Sequence, residues 1–309
     1  MERSEVYAHT PGPTGTWQRL EDHLKAVADL AASFAADFGQ QDLAYVLGLW
    51  HDLGKISPAF QQYLAEAALG AAAPRGPGHK AAGAQLASQN LGLLALVIQG
   101  HHGGLRSPAE FKAWLGQASR RAEAESALHL ARQLLDHASA VQAPPLPAYV
   151  TSDRLGAEMF VRMLFSALVD ADFLDTERHF DPRTAARRCN DLTLADLWQR
   201  FEVDQRTLTG SRTDPVGASR HAIYEACLSA AAQPRGIFRL SVPTGGGKTR
   251  SVMAFALRHA LCHGLRRVVV AVPFISITEQ TADVYRSIFG EEAVLEHHSS
   301  VEAPDEGDA

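Results

Sequence analysis

The spacing of apolar residues changes character once along the 309-residue chain, and that change limits the fold more than any other feature. In the first part, apolar positions recur at helical spacing. Leu24, Val27, Ala28, Ala31 and Ala35 share one helix face after Asp22-His23, and Gln41–His51 makes a second apolar helix that ends by Gly54. Further helices are expected over Pro58–Leu69, Lys80–Asn90 and Leu91–Gln99, with one or two more over Ser107–Ala140. Ala71–Gly78 reads as a Pro/Gly loop, and the Ala-Pro-Pro-Leu-Pro stretch at 143–147 breaks the chain. Over Asp153–Asp172 the spacing places Leu155, Met159, Met163, Leu164 and Leu168 on one face of an amphipathic helix.

A different pattern starts near His221. Ile237–Val242, Arg267–Val272 and Ala293–Glu296 are short β runs, separated by helices expected over Thr249–Cys262 and Thr278–Phe289. Alternation of this kind is the pattern of a parallel sheet. Between the two patterns, residues 181–218 are polar and carry Arg183, Arg187, Arg188, Arg200, Arg206 and Arg212. They read as a linker with a helix in it, its charge solvated. The expected fold class is multi-domain: an all-α domain at 1–185, a linker at 186–218, and the N-terminal part of an α/β domain at 219–309. The acidic end, Ala-Pro-Asp-Glu-Gly-Asp-Ala, is expected to fray.

Composition narrows the function classes. A hydrophobic fraction of 46% supplies a core without disulfides. Cys189, Cys227 and Cys262 form no CxxC pair, so neither a zinc knuckle nor a disulfide framework is expected, which fits a reducing cytoplasm. A net charge of -6 argues against a protein that coats DNA over its whole surface; nucleic acid would meet a local groove. The opening MERSEVYAHTPGP has no apolar core, and the apolar stretch near Leu91–Ile98 is too short to span a bilayer, so no membrane role is expected.

The fourteen histidines matter through their placement. His23, His51-Asp52, His79, His101-His102 and an aspartate of Asp170-Ala171-Asp172 each fall on an expected helix or at a helix end. Only a fold can bring them together. Phosphodiester hydrolysis needs a nucleophilic hydroxide at neutral pH and neutralisation of developing charge, and two metal ions roughly 3.5–4 Å apart supply both. Imidazoles favour Mn, Fe, Co, Ni or Zn over Mg. A carboxylate such as Asp52 has two oxygens and can bridge two ions. Lys55, one turn on, can aim a cation at the scissile phosphate or at Asp52. A single buried histidine is more often a hydrogen-bonded core residue; the joint pattern is what carries the metal reading. His9, His129, His137 and His179 read as surface residues.

A second motif, Ser-Val-Pro-Thr-Gly-Gly-Gly-Lys-Thr at 241–249, lies between a β run and a helix. Backbone amides of Thr244, Gly245, Gly246 and Gly247 suit phosphates, Lys248 the β/γ-phosphates, and Thr249 a magnesium ion. The strict phosphate-loop pattern is not met, because Val242 stands where its first glycine belongs.

Leu-Trp-His-Asp-Leu-Gly-Lys at 49–55 resembles the HD phosphohydrolase superfamily, an all-helical metal-dependent fold. The fuller set, over about residues 15–180, is similar to the HD nuclease of the CRISPR-associated helicase-nucleases of type I systems. That resemblance implies His23, His51, Asp52, His79, His101, His102 and one late aspartate as metal ligands, with His51, Asp52 and Lys55 catalytic. The late aspartate of the superfamily follows a small residue, which suits Asp172 better than Asp170; two residues apart, they point about 200° apart on a helix. Pro-Thr-Gly-Gly-Gly-Lys-Thr at 243–249 and Val-Val-Val-Ala-Val-Pro-Phe-Ile-Ser-Ile-Thr-Glu-Gln at 268–280 are similar to superfamily 2 helicases, and Glu-His-His-Ser-Ser at 296–300 accompanies them in the CRISPR helicase-nucleases. The resemblance therefore implies an all-α HD domain followed by a partial RecA-like domain. It implies a metal-dependent endo- or exonuclease that cleaves single-stranded DNA in antiviral interference. Two divalent ions (Mn, Ni, Co, Fe or Mg) would serve the HD site, ATP and Mg the full-length helicase, and a crRNA-guided surveillance complex would be the partner. Subtype I-C is the nearest reading. No Asp-Glu-x-His strand follows within these residues, so ATP hydrolysis by this chain alone is not expected. Two rivals remain: an HD phosphohydrolase acting on nucleotides or cyclic dinucleotides, and a non-catalytic DNA- or ATP-binding regulatory module.

Overall fold

The computed structural model describes residues 5–71, 76–135, 138, 140–187, 192–209 and 215–300. Its contacts divide the chain into two units, Met1–Cys189 and Asn190–Ala309. His137, Arg188, Cys189, Arg212, residues 72–75 of the 71–78 loop and the acidic end lie outside the described residues.

The first unit opens with a small antiparallel hairpin, β1 (Tyr7–His9) and β2 (Gln18–Arg19), in which His9 faces Gln18. Then follow α1 (Leu20–Ala35), α2 (Gln41–Trp50), a 3-10 turn (Leu53–Ile56), α3 (Pro58–Ala68), α4 (Lys80–Asn90), α5 (Ala95–Gly100), α6 (Pro108–Leu115), α7 (Ala118–Leu134), α8 (Tyr149–Ser152), α9 (Arg154–Phe180) and α10 (Pro182–Arg187). Helix starts follow local chemistry. Ser57 caps α3 by accepting from Phe60 N–H with Pro58 behind it, Ser107 and Glu110 form a capping box on α6, and Asp153 caps α9. The core is lined by Leu20, Leu24, Leu47, Trp50, Leu53 and Leu164, among others, all essentially inaccessible.

Two glycines let the backbones approach where the site is built. A Cβ on Gly83 of α4 would lie 1.8 Å from the Trp50 carbonyl oxygen at the end of α2. A Cβ on Gly54 would lie 1.9 Å from the His79 carbonyl oxygen, so glycine there seats the segment carrying His79 against the 3-10 turn.

The 27-residue helix α9 buries only part of the expected face, Leu164 and Leu168. Ala157, Phe160, Val161, Leu164, Ala167, Leu168 and Ala171 point inward, whereas Leu155, Met159 and Met163 are exposed. Long apolar side chains at i, i+4 drew the eye, but small residues and one aromatic let the helix lie close to its neighbours.

The second unit holds α11 (Leu194–Thr209), α12 (Pro215–Ala230), α13 (Lys248–Cys262) and α14 (Ile275–Phe289). Its core gathers Phe201, Tyr224, Met253, Leu257, Tyr285 and Phe289. The helix expected within the 186–218 linker is α11; its Phe201 is fully buried in this core, and Arg200 donates to the Phe289 carbonyl and to Glu292, which corrects the reading of its charge as solvated. The β runs at 237–242, 267–272 and 293–296 are not strands: among the described residues the one sheet is β1–β2. Ile237 and Val269 face solvent. Apolar β-formers prescribe an extended run, but a strand exists only through a hydrogen-bonded neighbour. Among the described residues no helix is long and apolar enough to cross a membrane.

Candidate metal centre

The site lies in the first unit, where α1, α2, α5 and α9 converge. His51 and His101 are each the residue that ends a helix, α2 and α5 respectively. Each ring donates its Nδ1–H to the carbonyl three residues back, His51 to Gly48 at 2.7 Å and His101 to Ile98 at 2.6 Å. The same local device therefore aims both Nε2 atoms inward. His23, fully buried on α1, donates from Nδ1 to Asp175 Oδ2 at 2.8 Å.

Asp52 sits among them with no exposure. Its Oδ1 lies 3.4 Å from His79 Nε2 and 3.3 Å from His101 Nε2. Its Oδ2 lies 3.6 Å from His23 Nε2 and 3.4 Å from His51 Nε2. Asp172 Oδ1 stands 3.5 Å from His23 Nε2 and 3.6 Å from His51 Nε2. The donors thus form two sets, His23/His51/Asp52/Asp172 and Asp52/His79/His101/His102, and Asp52 belongs to both. Asp170 is exposed, one helix face away from Asp172. His102, the most exposed of the set, faces His79 Nε2 at 3.1 Å.

The residues fit divalent ions. Nε2 of His23, His51 and His101, Nδ1 of His79 and both oxygens of Asp52 are buried without a hydrogen-bond partner. Buried polar atoms are ordinarily satisfied, so the five of these atoms that face one another, all but His79 Nδ1, mark a ligand-shaped demand. Imidazole nitrogen with carboxylate oxygen is the donor chemistry of first-row transition ions.

Lys55 takes one of its two expected directions. It is buried, and its ammonium forms an ion pair with Asp52 Oδ2 at 2.7 Å. Burial alone raises a carboxyl's pKa, but Lys55, then His51 and His79, hold Asp52 well below the usual range. Burial pulls His51 down, yet the Asp52 and Asp172 carboxylates overcome it and push it up to about 10. Burial brings His79 down to about 4 against the pull of Asp52. Asp172 is raised by burial and lowered further by His51, with a net shift downward.

Two surface readings are corrected. His9 is half-buried beside the site, 2.6 Å from Gln18 and 3.3 Å from Lys55 Nζ; burial and then Lys55 bring its pKa down to about 3. His179 is half-buried and donates to the Thr10 carbonyl at 2.8 Å. His129 is exposed, as expected. The sequence reading also missed Asp175, buried on α9 and bonded to His23. Its signal was available: it lies three residues after Asp172, on the same helix face.

In the second unit, Gly245 and Gly247 adopt φ of 82° and 78°, and Gly247 begins the 15-residue α13 at Lys248. Arg220 of α12 donates to the Gly245 carbonyl at 2.8 Å, and Tyr285 donates to the Thr249 carbonyl at 3.3 Å. Thr244, Gly245, Lys248 and Thr249 are exposed, and Gly246 packs beneath them against Val242. His298 pairs with Glu296, which also receives Arg286.

Fold and site define a class: a helical HD-type domain with a two-set histidine–aspartate centre, followed by a helicase-type unit that presents a glycine-rich loop. Residues 12–172, just over half of the chain, match the family described as Cas3, HD domain, and the chain belongs to that family. Residues 214–306 match the type III restriction enzyme, res subunit. The chain thus joins a Cas3 HD domain to a helicase-type region. His9 and Asp175 fall outside the first match. No curated protein matches the chain. Among solved structures, T. fusca Cas3 with AMPPNP is similar at 16% identity and a TM-score of 0.50, over 94% of this chain and 38% of that one. A second T. fusca Cas3 structure gives 16% identity and a TM-score of 0.46 over 92% and 37%. The first of these likenesses shows the fold, and the chain spans less than two fifths of either structure's chain.

Proposed function

We propose that the first unit is a metal-dependent nuclease that cleaves single-stranded DNA in CRISPR interference, in the cytoplasm, on strands delivered by a crRNA-guided surveillance complex. The observation that carries the reading is the position of Asp52, with one oxygen facing each donor set. His23, His51, Asp52 and Asp172 would hold one divalent ion; Asp52, His79, His101 and His102 would hold a second. When bound, such a pair neutralises phosphate charge and lowers the pKa of water. The chain's own residues do the rest. Gly48 and Ile98 carbonyls aim His51 and His101. Lys55 balances the Asp52 charge and stands ready to offset charge growing on a phosphate. Exposed His102 marks the solvent side from which a strand enters.

The exposed Thr244–Thr249 loop at the start of α13 suits nucleotide phosphates: backbone amides and Lys248 for the phosphates, Thr249 for magnesium. ATP would bind there in the whole helicase-nuclease.

The test incubates the chain with Mn²⁺ or Ni²⁺ and, separately, single-stranded DNA, cyclic dinucleotides and dNTPs, beside Asp52→Ala. Cleavage of the DNA, lost by more than about 100-fold in Asp52→Ala, is expected because a shared ligand removes both ions. Consumption of a nucleotide with the DNA intact would overturn the nuclease reading.

A further inference from the structure

Two side chains of the N-terminal hairpin join a hydrogen-bonded chain that runs beside the metal centre from His23 to Lys55. His9 Nδ1 lies 2.6 Å from Gln18 Oε1. Gln18 Nε2 donates at 2.7 Å to Asp175 Oδ2, the oxygen that also accepts from His23 at 2.8 Å. At the other end, His9 Nε2 lies 3.3 Å from Lys55 Nζ, which forms an ion pair with Asp52 Oδ2. Gln61 of α3 fastens the hairpin in place: it accepts from Tyr7 N–H at 3.0 Å and donates to the Tyr7 and Lys55 carbonyls at 2.8 and 2.7 Å.

The donors in this chain can run in one direction only. An ammonium only donates, so His9 Nε2 accepts and its proton sits on Nδ1. The Gln18 carbonyl takes that proton, which turns the Gln18 amide nitrogen toward Asp175. Asp175, a carboxylate, only accepts, so His23 donates from Nδ1, and its other ring nitrogen, Nε2, faces Asp52 and Asp172 at 3.6 and 3.5 Å.

We propose that the hairpin is a positioning element of the metal centre: His9 and Gln18 hold Lys55 and Asp175, and through Asp175 fix His23 in the tautomer that receives a divalent cation. Residues behind a ligating histidine set its tautomer and basicity and change metal affinity when removed. The inference rests on the metal reading above for its affinity readout, and on geometry alone for its tautomer readout.

The test uses the full chain with ¹⁵N-labelled histidine. Two-bond ¹H–¹⁵N spectra of the metal-free protein read the His23 tautomer, and Mn²⁺ titration reads affinity. The parent is expected to carry the His23 proton on Nδ1. Gln18→Ala and His9→Ala should shift it toward Nε2 and weaken Mn²⁺ binding about tenfold, while His9→Asn, which keeps a donor toward Gln18, recovers to within about threefold. Folded Gln18→Ala and His9→Ala proteins that keep the Nδ1 proton and bind Mn²⁺ like the parent would overturn the proposal. If the parent itself binds no Mn²⁺, the nuclease reading fails, and the tautomer of the two variants still decides the role of the hairpin.

Discussion

Lys55 and Asp52 form a buried ion pair, and breaking such a pair by removing one partner typically costs about 3–5 kcal/mol because a charge is left uncompensated. Lys55→Met should therefore destabilise the metal-free chain by roughly that amount. Mn²⁺ should recover most of it, since a cation at Asp52 replaces the ammonium. Chemical denaturation with EDTA and with Mn²⁺ checks this; equal losses in both would refute it. The histidines add a pH dependence. His51 is raised to about 10, so its stabilisation is present below its unfolded pKa of about 6.5 and is lost as pH rises toward 10. His79 and His9 are lowered to about 4 and 3, so the unfolded chain binds more protons below about 6.5, and stability falls with pH there. Asp52 and Asp172 are lowered too, and their contribution is lost in acid. The melting temperature in EDTA should peak near neutrality and decline on both sides; a steady rise from pH 7 to 10 would contradict it.

At the scale of elements, the centre depends on how closely backbones approach. A side chain at Gly54 would collide with the His79 carbonyl. Gly54→Ala should cost about 1–3 kcal/mol, as overpacking does, and should weaken the His79/His101/His102 set more than the His23/His51/Asp172 set. Mn²⁺ stoichiometry falling from two to one, without loss of the fold, is the expected outcome; unchanged stoichiometry would speak against it. This scale also shows what was legible in the sequence. His51-Asp52 and His101-His102 announce themselves because each pair sits at a helix end, where local geometry aims the rings. His9 and Gln18 do not, because their roles exist only through Lys55 and Asp175, brought near by the fold. The buried face of α9 is only partly legible, because Ala157, Ala167 and Ala171 carry weak apolar signals yet permit close packing. The β runs were read from residue preference, and no local preference supplies a pairing partner.

At the scale of the whole molecule, every proposed ligand, from His23 to Asp172, lies within Met1–Cys189. Metal should raise hydrogen-exchange protection in α1, α2 and α9, and leave α13 of the second unit unchanged. Protection rising equally in both units would contradict that division. The central claim is that Asp52 belongs to two donor sets at once. Electron paramagnetic resonance of the Mn²⁺-loaded chain tests it most directly, because ions roughly 4 Å apart across one carboxylate are magnetically coupled. Two ions per chain with a coupled signal, abolished in Asp52→Ala, is the predicted result; a single, uncoupled ion at saturation would contradict it.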